Sequence, residues 1–124
     1  MNVFVAQLTV EQWVEKCFGP GSLTDVVERR QRFLEEALEL AQACGASKEE
    51  AIDLINYVYS RPVGELEQEV GGAFTTLLAL CSGLNVSLSA AASKELSRIQ
   101  HPDVMETIRA KQAGKPSFGA GGPQ

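Results

Sequence analysis

Phe33-Leu34-Glu35-Glu36-Ala37-Leu38-Glu39-Leu40-Ala41 reads as the middle of an amphipathic helix. At about 100° per residue, Phe33, Leu34, Ala37, Leu38, Leu40 and Ala41 share one broad apolar face. Glu35, Glu36 and Glu39 occupy a wedge on the other side. Glu35 and Glu39 are four apart and Glu36 and Glu39 three apart, so the carboxylates can converge. Three like charges held this close repel one another. A cation, a basic partner or bulk water has to relieve that cost, and a plainly solvated helix face is the competing reading.

Outward from this stretch, the rest of the chain reads as helix after helix. Thr9-Val10-Glu11-Gln12 has the form of a capping box and predicts the start of a first helix with Val10, Trp13, Val14 and Cys17 on its apolar face. Gly19-Pro20-Gly21 ends it. A second helix is expected over 22–44, stopped by Gly45. Arg32 precedes Glu35 by three, as either a salt-bridge partner or a cation for phosphate. Ser47-Lys48-Glu49-Glu50 is a second capping box and opens a third helix, which Arg61-Pro62 closes. A fourth helix is expected over 64–81 and is the most apolar, so it is expected to be the most buried. Its interior glycines, Gly71 and Gly72, cost about 1 kcal/mol each against alanine and point to a close approach by another backbone or a ligand. Glu65 and Glu69 form a second carboxylate pair on it. Fifth and sixth helices follow at 88–99 and 104–113, with His101-Pro102-Asp103 between them. The expected organisation is one helical domain over 1–113 and a flexible Gly/Pro-rich tail over 114–124. No strand-like alternation or internal repeat is present.

The 124 residues are 44% hydrophobic, enough for one domain with a modest core. The net charge of −5 disfavours a nucleic-acid or anionic-membrane surface. It leaves open a phosphate substrate, provided metal ions stand between the two sets of negative charge. Cys17, Cys44 and Cys81 have no metal-knuckle or redox spacing and read as buried thiols. With no basic region before an apolar run at the N-terminus, a cytoplasmic location is expected. The apolar surface of Trp13, the fourth helix and the fifth helix predicts a homo-oligomer, a homotetramer or a homodimer.

Glu35-Glu36-x-x-Glu39, followed thirty residues later by Glu69 on a second helix, resembles the E-E-x-x-E…E-x-x-D pattern of MazG-like all-α nucleoside triphosphate pyrophosphohydrolases. The resemblance runs over roughly residues 9 to 115. It implies an all-α antiparallel bundle with a four-helix core and two or three Mg²⁺ or Mn²⁺ ions. It also implies hydrolysis of an NTP or dNTP to the monophosphate and pyrophosphate. Carried over by position, Glu36, Glu39 and Glu69 match metal ligands. Glu35 matches a carboxylate that binds metal or activates water. Gly72 departs from the pattern, standing where the family has aspartate.

Trp13 is then a candidate stacking platform for a base, and Arg32, Arg109, Lys111 and Lys115 are candidate phosphate contacts. No Gly-x-x-x-x-Gly-Lys loop is present, which argues against a P-loop enzyme, and no Glu-x-x-His, which argues against a di-iron bundle. The expectation is a metal-dependent (d)NTP pyrophosphohydrolase, with a purine deoxynucleotide such as dGTP as the guessed substrate. The alternative is a catalytically impaired helical module that binds a nucleotide or a protein partner through the acidic face.

Overall fold

The computed structural model describes residues 1–116, so most of the expected 114–124 tail lies outside the described residues. The described chain is all-helical: α1 (Val3–Phe18), α2 (Val26–Ala43), α3 (Lys48–Tyr59), α4 (Leu66–Gly83), α5 (Leu88–Ile99) and α6 (Pro102–Gly114). It divides into two compact units. One holds residues up to Gln31 together with everything from Val86 onward; the other spans Arg32–Asn85. The boundary falls inside α2.

Local chemistry explains most helix ends. Ser47 caps α3 by accepting from the Glu50 backbone N–H at 3.1 Å, and Ser87 caps α5 through the Ala90 N–H at 3.1 Å. Gly45, just past α2, sits at φ +96°, where a side chain would be strained. Four starts differ from expectation: α2 begins at Val26 rather than Ser22 and α4 at Leu66 rather than Gly64, and the other two are α1 and α6. Asn2, not Thr9, caps α1, accepting from the Val5 N–H, while Thr9 lies inside the helix and donates its hydroxyl to the Val5 carbonyl at 3.0 Å. α6 begins at Pro102 rather than Val104, because a proline loses no helical hydrogen bond in the first turn.

In the first unit α1, α5 and α6 enclose a small core of Val14, Cys17, Ile99 and Met105. Long-range polar contacts hold it. The Trp13 indole N–H donates to the Ile99 carbonyl at 2.8 Å, and Arg109 Nε donates to the Cys17 carbonyl at 2.6 Å. Trp13 meets Phe18 edge-on at 5.7 Å, and the Arg29 guanidinium lies over the Phe18 ring at 5.4 Å.

The second unit differs from the sequence expectation. α4, expected to be the most buried helix, has no buried residue, and neither do α2 and α3. Val70 is 64% exposed and Phe74 42%. The C-terminal half of α4 is apolar nearly all round, yet among the described residues none of it is buried. The cysteines also diverge. Cys17 is buried, Cys81 is intermediate and Cys44 is exposed, and all three are free thiols. Among the described residues no single helix is long and apolar enough to cross a membrane.

Candidate functional site

Within the Arg32–Asn85 unit, α2 and α4 form the walls of a groove of about 830 Å³. Its lining is mostly apolar: Phe33, Leu40, Leu66, Val70, Phe74 and Leu77 are prominent. Two of the expected ligands, Glu36 from α2 and Glu69 from α4, line it as well. The two carboxylates far apart in sequence are therefore brought to one groove.

The other two acidic candidates stand elsewhere. Glu35 pairs with Arg32 at 3.4 Å, the i,i+3 contact anticipated from spacing. This gives Arg32 a carboxylate-orienting position on α2. Glu39 is exposed and does not line the groove. Among the described residues no group of three or more His, Cys, Asp or Glu side chains is assembled that could hold a metal ion.

The donor chemistry of Glu36 and Glu69 nonetheless suits a hard divalent cation. Mg²⁺ is commonly held by one or two carboxylates, with waters and substrate phosphates completing the shell.

Glu65 has another task. It is the N-cap of α4, its carboxylate accepting from the Glu67 N–H at 3.2 Å and the Gln68 N–H at 2.7 Å. It therefore does not form a second carboxylate pair with Glu69. The Glu69 side chain reaches back toward Gly64, where an added Cβ would collide with its carboxylate. A helical side chain leans toward the helix N-terminus, so this is the expected direction. A Cβ at Gly71 or Gly72 would meet nothing within 4 Å. Neither glycine is explained by a close approach among the described residues.

Trp13, Arg109, Lys111 and Lys115 belong to the other unit. Trp13 is half-buried, with its N–H committed to Ile99. Arg109 caps the C-terminal end of α1 through the Cys17 carbonyl and, at 3.4 Å, the Lys16 carbonyl. Its guanidinium is thus engaged in holding α6 to α1. The partners are more than ninety residues apart in sequence, so no local signal announces that role. Lys111 lies on the surface beside Asp103, Glu106 and Thr107, and Lys115 is half-buried.

Comparison with models of protein families, with curated proteins and with solved structures finds no match to this chain.

Proposed function

We propose that the chain is a metal-dependent (d)NTP pyrophosphohydrolase releasing pyrophosphate from a nucleoside triphosphate. The observation that supports this most is the pair Glu36 and Glu69, contributed by α2 and α4 to one groove. These two carboxylates would hold Mg²⁺ or Mn²⁺, which when bound neutralises phosphate charge and lowers the pKa of a bound water. Glu35, which pairs with Arg32 and does not line the groove, would have to turn toward it to accept a proton from the attacking water. Glu39 completes the ligand set if its exposed side chain swings inward when the triphosphate arrives. A purine deoxynucleotide remains the guessed substrate.

The second reading, a nucleotide-binding module without turnover, is favoured by Gly72 and by the lack of an assembled three-carboxylate group among the described residues. A panel of NTPs and dNTPs with Mg²⁺ or Mn²⁺, resolving pyrophosphate from phosphate release, separates the two. Pyrophosphate release that disappears in Glu36→Gln and Glu69→Gln is the expected result. Full activity in either variant at saturating substrate and metal overturns the assignment. Nucleotide binding by calorimetry without any release supports the module instead.

A further inference from the structure

The groove walled by α2 and α4 has polar chemistry of one kind. Among the described residues that line it, the side chains with polar atoms are Glu36, Glu69 and Thr76. An ionised carboxylate accepts hydrogen bonds and donates none. Thr76 is an acceptor toward the groove as well. Its hydroxyl proton is committed to the helix backbone, shared between the Gly72 carbonyl at 2.9 Å and the Ala73 carbonyl at 3.1 Å. A threonine inside a helix commonly bonds back to the preceding turn in this way, and the oxygen lone pairs remain for a ligand. The rest of the lining is apolar and includes the rings of Phe33 and Phe74.

Thr76 holds a defined place relative to Glu36. α4 starts 40 residues after α2, at 66 against 26, and both run for 18 residues. α5 starts 40 after α3, at 88 against 48, and both run for 12. The caps keep the same interval: Ser47 and Ser87 start the shorter helices, and Gly45 and Asn85 take positive φ in the turns before them. The same helix–turn–helix plan thus occurs twice along the chain, in sequences that share few residues. The groove is lined on α2 at positions 33, 36, 37 and 40, and on α4 at the equivalent positions 73, 76, 77 and 80. Thr76 is therefore the counterpart of Glu36. One position supplies a charged acceptor from the first plan and a neutral acceptor from the second.

The two acceptors suit different parts of one ligand. In the hydrolase reading, on which this inference rests, a cation answers the carboxylates. A neutral acceptor in an apolar slot suits an N–H on a flat ring. A ring carbonyl placed against Thr76 would set lone pair against lone pair, with no side-chain donor in the lining to pair it. An acceptor taken out of water without a partner is costly. An amino group at the same ring position removes the conflict and makes the bond. We propose that Thr76 determines base specificity, accepting a hydrogen bond from the exocyclic amino group of a nucleobase held against Phe33 and Phe74. The groove then prefers adenine over hypoxanthine and cytosine over uracil.

Calorimetric binding of non-hydrolysable α,β-imido deoxynucleoside triphosphates to the full chain with Mg²⁺ tests this. The adenine and hypoxanthine forms differ at one ring edge, as do the cytosine and uracil forms. The amino-bearing member of each pair is expected to bind about fivefold tighter, the scale of one neutral hydrogen bond. Thr76→Val keeps the side-chain shape, removes the acceptor and is expected to erase the preference. Thr76→Ser keeps the acceptor and is expected to retain it. So is Thr75→Val, at a position that does not line the groove. Equal affinities within both pairs for the unaltered chain, or a preference that survives Thr76→Val, overturn the proposal. Failure of all four to bind overturns the nucleotide site altogether. Pyrophosphate release from the four hydrolysable dNTPs is measured in parallel. Preferential binding without release overturns the hydrolase reading and leaves Thr76 in its role. Release without any base preference overturns the role of Thr76 alone.

Discussion

Burial raises the Cys17 thiol above its ordinary value of 9.0, and the nearby Arg109 charge opposes the rise. The folded chain therefore keeps this thiol protonated at pH values where the unfolded chain ionises it. Its contribution to stability is full below 9.0 and is lost as pH rises beyond that. Labelling with an aromatic disulfide at about pH 8, just below the ordinary thiol pKa, is expected to modify the exposed Cys44 first and Cys17 only on unfolding. Rapid modification of Cys17 in the folded state would show that its cover opens readily. At Gly72 a side-chain carbon would stand in open space, which leaves room for a carboxylate. Gly72→Asp is expected to tighten Mn²⁺ binding to the nucleotide-free protein about tenfold, since added ligand charge tunes hard-cation sites on that scale. Glu65→Gln is expected to leave that affinity unchanged, because Glu65 is occupied in capping α4. Isothermal calorimetry checks both, and a loss of affinity in Glu65→Gln would return Glu65 to the ligand set.

Arg109 acts at the level of the helix, tying α6 to the carbonyl end of α1. Arg109→Ala is expected to cost about 1.5–3 kcal/mol, the range for hydrogen bonds that involve a charged group, measured by denaturant unfolding. Truncation before Arg109 would therefore damage the first unit as well as remove positive charge. Lys111→Ala is the cleaner test of the phosphate contact expected from sequence: a raised KM with unchanged unfolding and unchanged kcat would support it. An unaltered KM would leave Lys111 as surface charge. On α5, the hydrogen bond from Arg98 holds the Glu95 carboxyl below its ordinary value of 4.5. That stabilisation is present above 4.5 and is lost as pH falls through the lowered value. It is small, since both side chains are more than half exposed.

For the whole molecule, stability and association are expected to be one quantity. If a second copy covers α2 and α4, the melting temperature rises with protein concentration by mass action. Thermal melts across a roughly hundredfold concentration range check this, and a flat melting temperature would mean that each copy folds alone.

Helix positions were legible along the chain because the groups that set them are local. Ser47, Ser87 and Gly45 act on backbone groups within a few residues. The periodic apolar faces of α2 and α4 were equally plain, as was the position of Glu36 and Glu69 on two different helices. The start of α1 was less so. Asn2 and Thr9 both carry a capping oxygen, and apolar residues between them allow either start. Helical spacing alone makes Glu65 a partner for Glu69, but α4 begins at Leu66 and makes Glu65 its cap. Packing alone established that Glu36 and Glu69 share a groove, that Glu39 does not line it, and that Arg109 serves α1. Those outcomes depend on how segments far apart in sequence come together. Burial is the clearest case: an apolar face records that cover is needed, while what covers it is a property of the assembled molecule.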